Sequence, residues 1–232
     1  MEFLPAVTLK EIYDVYGHFY SIQLTKHICV ECRSVLEIVE RSAKFIKPEV
    51  ISKKRPDAVF IMMNPGSSKP LCEVNNVVKG EEISDLQISL VPTKPDTTQY
   101  QVMRIMKHAG WKHVRVLNLS DLRSPKSPIF CKQFHELETE HSFEAHSIFS
   151  NVRKDERLKK IPRNYKSPVI LAWGVSDKLS PLINRCLKVL PTGSKTVGLI
   201  KEGTSDRYLH PLPTLQRQKL EWVERMVKAL NQ

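Results

Sequence analysis

Two short polar turns stand out by residue type. Ile61-Met62-Met63-Asn64-Pro65-Gly66-Ser67-Ser68 and Leu209-His210-Pro211-Leu212-Pro213 each follow an apolar run that reads as a buried strand. Each sets polar groups on a tight, proline-bounded turn, where a rigid scaffold can hold a carboxamide or an imidazole at the rim of a pocket. A third run ending Ala172-Trp173-Gly174 lies between them. Together the three point to one site at the carboxyl edge of an α/β sheet.

The elements that must position these turns alternate between two patterns. Residues 57–63 (DAVFIMM), 114–119 (VRVLNL), 169–173 (VILAW) and 196–200 (TVGLI) are short apolar runs suited to buried parallel strands. Residues 99–109, 177–190 and 214–230 read as helices. In the last of these, Leu215, Trp222, Val223, Met226, Val227 and Leu230 recur at helical spacing behind Thr214 as a cap. Residues 25–46 also read as helical, and residues 1–20 as a short leader. The stretches 72–96 and 123–150 read as irregular, and long loops of this kind are often functional. The expected fold is a three-layer α/β/α domain with a central, mostly parallel four-stranded sheet, spanning residues 51–232, with an N-terminal helical leader over residues 1–50 packed on it.

Composition narrows the class. A chain of 232 residues suits one well-buried domain. With 41% hydrophobic and 26% charged residues it has the make-up of a globular protein, and it contains no apolar run near the roughly 20 residues that span a bilayer. The first 20 residues lack the pattern of a signal peptide, which implies a cytoplasmic location. The formal charge of +11 is distributed along the chain, as in Lys53-Lys54-Arg55, residues 153–160, Arg217 and Lys219. That spread favours a basic face for a polyanion over a disordered arm, although solubility alone also accounts for it.

The order of landmarks resembles the uracil-DNA glycosylase superfamily. They are a strand ending in Asn64-Pro65-Gly66, a helix ending near His108-Ala109-Gly110-Trp111, a strand ending in Asn118-Leu119, a strand ending in Trp173-Gly174, and a final His210-Pro211. The Asn-Pro-Gly turn is most similar to the mismatch-specific and thymine-DNA glycosylase branch. Residues 116–125 (VLNLSDLRSP), Trp173-Gly174 and His210-Pro211 also resemble a family of bacterial and phage proteins known as domain of unknown function 1643.

The resemblance implies hydrolysis of an N-glycosidic bond in DNA, at a modified or mismatched base flipped into a pocket. Asn64 matches the residue that positions water, and it can hold water but cannot accept its proton as a carboxylate would. His210 matches the histidine that donates a hydrogen bond to the departing base. Asn118 is a candidate for reading the base edge. Pro65, Gly66, Ser67, Tyr100, Trp173 and Gly174 line the same substrate pocket in this reading. Leu212 or Leu215 is the wedge that fills the vacated stack, and Arg217, Lys219 and Arg123 are candidates for holding DNA phosphates. Asp96, with Tyr100 beside it in Pro95-Asp96-Thr97-Thr98-Gln99-Tyr100, offers a carboxylate at the start of a helix. DNA is the implied partner, the chain is expected to be a monomer, and no cofactor is implied.

This chain also departs from the superfamily pattern. Leu212 replaces the usual serine after His-Pro, and no Asp-Pro-Tyr follows the first strand. Three functional classes therefore stay open: a DNA glycosylase, a nucleoside or nucleotide N-glycosidase, and a nucleic-acid-binding module that has lost the chemistry.

Each residue also has a purely structural reading. Asn64-Pro65-Gly66 is a good turn former, Trp173 suits a core, and Asp96 suits a helix cap. Cys29-Val30-Glu31-Cys32 resembles the start of an iron-sulfur pattern, but Leu122 stands where a third cysteine is expected. Idle or buried thiols are the preferred reading. The histidines show no metal-ligand spacing, His141 and His146 being five apart.

Overall fold

The computed structural model describes residues 3–42, 47–161 and 167–231. Helix α1 (Ala6–Ile12) leads into two long strands, β1 (Tyr13–Thr25) and β2 (Ile28–Glu40), which pair antiparallel through a tight turn. Next come α2 (Pro48–Lys53), β3 (Ala58–Met62), β4 (Lys69–Pro70), β5 (Val77–Lys79), β6 (Val91–Lys94), α3 (Thr97–Ala109) and β7 (His113–Asn118). The chain continues through α4 (Ser127–Glu140), α5 (Lys154–Lys160), β8 (Val169–Leu171), α6 (Ser180–Val189), β9 (Thr196–Val197) and α7 (Gln216–Leu230).

The fold is mixed α/β. The four expected strands are present as β3, β7, β8 and β9, parallel to one another where they pair. They do not make a four-stranded sheet on their own. Among the described residues they form one side of a nine-stranded mixed sheet in the order β4-β6-β1-β2-β7-β3-β8-β9, with β5 alongside β1. The hairpin β1–β2 joins this set antiparallel to β7, with Leu36 opposite Val116 and Ile38 opposite Val114.

The helix expected over residues 25–46 is therefore corrected to strand β2, with residues 43–46 outside the described set. Its run from Cys32 to Ile38 is buried on both faces, so the two-residue alternation that marks a half-exposed strand is absent. Buried polar residues in the middle of β2 add to the disguise. Ser34 bonds His18 at 2.7 Å, and Glu37 bonds both His113 and Arg115.

Two apolar layers sandwich the sheet. On one face Phe60, Val114, Val116 and Leu36 pack with Val102, Met103 and Met106 of α3, Trp222 and Met226 of α7, and Leu9 of α1. On the other, Val59, Ile61 and Leu117 pack with Phe130 and Phe134 of α4 and Leu182 and Ile183 of α6. Fully burying one such side chain contributes on the order of 2 kcal/mol, so the many buried here hold the carboxyl ends of the strands in place.

Three local expectations are also corrected. Residues 123–150 contain helix α4, with Pro128 in its first turn, where a missing N–H costs nothing. Residues 72–96 contain β5, β6 and a short 3-10 turn. Helix α7 starts after Leu215 and receives no side-chain cap, so Thr214 is not its capping residue.

Candidate functional site

Parallel register brings the predicted turns to one edge. Met62 lies opposite Asn118 on β7 and Ile61 opposite Leu171 on β8. The segments that follow, 63–67, 119–125 and 172–176, therefore emerge side by side. His210 arrives by another route: Tyr208 forms antiparallel bridges with Gly174 and Ile200, and Leu209 donates its N–H to Leu199.

Between these segments lies a cleft of about 480 Å³ whose walls include Asn64, Pro65, Gly66, Ser67, Asp96, Asn118, Trp173, Gly174, His210 and Leu212. A larger cavity of about 560 Å³ opens elsewhere, between Lys53, Arg55, Arg115, Lys159 and Lys160. None of the predicted site residues lines it.

The polarity of Asn64 is set by its surroundings. Its Nδ2 donates to the carbonyl of Ser124 at 2.7 Å and more weakly to that of Leu122 at 3.4 Å. Oδ1 is thereby left as the group that can accept a hydrogen bond in the cleft. Gly66 follows at φ +65°, a left-handed conformation suited to glycine. A Cβ added there would lie 3.3 Å from Oδ2 of Asp96.

His210 is oriented in a similar way. The N–H of Leu212 donates to its Nδ1 at 3.2 Å, which puts the proton of the neutral ring on Nε2. Burial lowers its pKa to about 4, with the Leu212 hydrogen bond opposing the shift. At neutral pH the ring is an uncharged donor. The loop that carries it is clamped: Gln101 Nε2 donates to the carbonyls of Pro211 and Lys219, both at 2.9 Å, and Trp222 Nε1 donates to that of Leu209 at 3.0 Å.

Asp96 caps the helix that follows it. Its Oδ1 accepts from the N–H groups of Thr98 and Gln99, while Gln99 Oε1 accepts from the N–H of Asp96, which makes a reciprocal cap on α3. The same residue also lines the cleft. Burial raises its pKa, opposed first by the charge of Arg33.

Asn118 is fully buried at the floor, and neither Oδ1 nor Nδ2 has a hydrogen-bond partner among the described residues. Its buried strand position was legible in the sequence. Arg33 of β2 was not, because its segment read as a helix. It is 2% exposed and lines the cleft, with Nε and Nη1 lacking hydrogen-bond partners. Burial lowers its pKa to about 10, with the charge of Asp96 opposing.

Other predicted residues fall outside this arrangement or serve it indirectly. Trp173 is fully buried, its ring edge-on to Tyr208 at 5.3 Å and its Nε1 donating to the carbonyl of Asp206, so it backs the cleft as core. Tyr100 packs on the opposite layer, with the Lys10 ammonium 5.9 Å from its ring. Arg123 is committed to Glu31 at 2.9 Å and to the carbonyl of Ser68 at 3.1 Å. Leu215 is 57% exposed beyond the cleft-lining Leu212. Arg217 is exposed and paired along the helix with Glu221. Cys29 and Cys32, three apart on β2, leave opposite faces of the strand and are free thiols.

A buried chain of polar groups supports the segment after β7. Ser120 Oγ lies 2.8 Å from His146 Nδ1, and His146 Nε2 lies 3.0 Å from Glu138 Oε1. Ser120 and His146 are fully buried, so this serine-histidine-glutamate array braces the loop that holds Asn64. No group of His, Cys, Asp and Glu suited to a metal occurs among the described residues, and none of the helices searched is long and apolar enough to cross a membrane.

No curated protein and no solved structure matches the chain. The family described as "Protein of unknown function (DUF1643)" matches residues 89–212, a stretch that holds Asp96, Asn118, Trp173, Gly174 and His210. That match spans more than half of the chain, and the chain therefore belongs to the DUF1643 family.

Proposed function

We propose that this protein is an N-glycosidase that hydrolyses the bond between a modified or mismatched base and its sugar in DNA, on a scaffold like that of the uracil-DNA glycosylases. The observation that carries this reading is the paired polarity of Asn64 and His210. In one cleft, backbone groups leave a carboxamide oxygen free to hold water and an imidazole Nε2–H free to donate. The order of the motifs along the chain supports the same reading.

In this mechanism Asn64 Oδ1 holds the attacking water below the sugar. As the C1′–N bond breaks, its electron pair moves to the base, and His210 stabilises the resulting anion by a hydrogen bond while remaining neutral. The water oxygen bonds to C1′ and its proton passes to Asp96, whose raised pKa suits a proton acceptor. Asn118 recognises the base through its unpartnered amide. Leu212 and Leu215 fill the space left in the stack, and Arg217 and Lys219 face DNA phosphates.

A second reading, a nucleoside or nucleotide N-glycosidase, is favoured by the commitment of Arg123 to Glu31 and Ser68, which leaves one cation fewer for a duplex. The two are separated by incubating the protein with single- and double-stranded DNA carrying uracil, mismatched and hypermodified bases, followed by hot alkali. Strand breaks at the marked base are expected. Release of base from free nucleotides alone selects the second reading. DNA binding without breaks or base release contradicts both and marks a binding module.

A further inference from the structure

Arg33 poses a problem that the proposed reaction does not use. A guanidinium carries five N–H donors and stays charged at ordinary pH. Placing it in the protein interior is unfavourable unless an anion and hydrogen-bond acceptors meet it. Arg33 is 2% exposed, and Nε and Nη1 have no acceptor among the described residues. Asp96 and Asp121 influence it through space, while Arg123 adds an opposing positive charge. Oδ1 of Asp96 is already committed to two N–H groups of α3 and Oδ2 of Asp121 to Tyr20 and Arg153, while Oδ1 of Asp121, buried like the guanidinium, makes no hydrogen bond to it.

The cleft holds a second unsatisfied group. Asn118 presents a buried amide with both ends free. Two such groups lining one cleft match a ligand that brings acceptors to the guanidinium and a paired N–H and C=O edge to the amide. Neither a plain hydrocarbon nor a simple sugar offers that combination.

We infer that the ligand of this cleft carries an anionic oxygen group, a phosphate or a carboxylate, that binds Arg33 while its amide-like base edge is read by Asn118. The inference rests on the cleft being the ligand site, as proposed above, but not on bond cleavage. A planar guanidinium suits two oxygens of one such group better than an ammonium does. Arg33 is thus a specificity-determining residue supplied by β2, on the opposite side of the sheet order from β8 and β9.

The test is isothermal titration of the intact protein with uridine, guanosine, their 5′-monophosphates, uracil and 6-carboxyuracil. At least one anionic ligand should bind tenfold or more tightly than its uncharged counterpart. A gain in the monophosphates assigns a phosphate, and a gain in 6-carboxyuracil assigns a carboxylate on the base. Arg33→Met should erase the gain and leave the uncharged counterpart within about threefold. Arg33→Lys, which keeps the charge but loses the fork, should reduce the gain several-fold, and it carries the test if the Met variant does not fold. Equal affinities within every pair, no binding of any ligand, or a gain undiminished in Arg33→Lys or surviving in Arg33→Met overturns the inference. Binding is measured without turnover, so a protein that binds through Arg33 yet releases no base contradicts only the catalytic reading.

Discussion

The Nδ2 group of Asn64 donates to the backbone carbonyl of Ser124 at 2.7 Å, tying the turn after β3 to the loop after β7. With the weaker bond to the Leu122 carbonyl, it fixes which end of the amide faces the cleft. Asn64→Ala should therefore lower base release by about 100-fold or more, in the range seen when a positioned catalytic group is lost, while ligand affinity changes little. Single-turnover rates and equilibrium binding on the same variant check this. A comparable loss in both would make Asn64 a binding group instead.

His210 gives a pH prediction. Its folded pKa is lowered to about 4 from an ordinary 6.5, so the folded protein binds fewer protons than the unfolded chain between those values. Stability from this group is complete above pH 6.5 and is lost as pH falls through 4. His18, lowered to about 3 mainly by burial, works in the same direction, whereas Asp121, raised to about 6 by burial, works against it. Thermal melts of wild type and His210→Gln from pH 7 to pH 4 isolate the contribution, with a shallower fall expected in the variant. The activity should show no titration of His210 near pH 6.5, since the neutral ring is the working form.

Asp96 combines a helix cap with a cleft carboxylate, and two substitutions separate the roles. Asp96→Ala removes the cap and should cost about 1 kcal/mol of stability. Asp96→Asn keeps an acceptor for the N–H groups of Thr98 and Gln99 and should cost less than half of that. If the carboxylate takes the water's proton, both variants lose activity alike; an active Asp96→Asn protein restricts Asp96 to capping.

Gln101 holds the His210 loop through two backbone carbonyls, those of Pro211 and Lys219. Gln101→Leu removes both donors from a buried site and should destabilise the protein by about 1–3 kcal/mol. Because the affected loop carries the imidazole, kcat should fall more than KM rises. Denaturant melts and steady-state kinetics on the variant check the two effects.

Salt dependence distinguishes the basic residues. If α7 faces DNA, Arg217→Ala and Lys219→Ala should each reduce the slope of log affinity against log salt by about 1. Arg123→Ala should leave that slope alone and lower the melting temperature instead, because its guanidinium is committed to Glu31 and Ser68. An unchanged slope in all three variants would remove α7 from the interface.

Much of the site was legible because short apolar runs report buried parallel strands directly. The runs at 57–63, 114–119 and 169–173 gave the edge from which Asn64, Asn118 and Gly174 emerge. Capping chemistry likewise marked Asp96 before α3. What escaped was β2, where Arg33, Ser34 and Glu37 sit in mid-strand. Polar residues in such a place are tolerated only because distant partners meet them, as His113 and Arg115 do for Glu37. Local pattern carries no trace of those partners, so the segment resembles an amphipathic helix. Arg33 was lost with it. Arg123 shows the converse case, a basic residue whose charge suggested phosphate but whose partners lie within the fold.

The central claim is that Asn64 and His210 act together on one glycosidic bond. Its most direct test is chromatographic measurement of free base released in a single turnover by wild type, Asn64→Ala, His210→Ala and the double variant, all checked for folding by thermal melts. The account predicts release by the wild type, a loss of about 100-fold or more in each single variant, and a double variant hardly worse than either. Base release that persists in both single variants, or none from the folded wild type on any substrate of the panel, would contradict it.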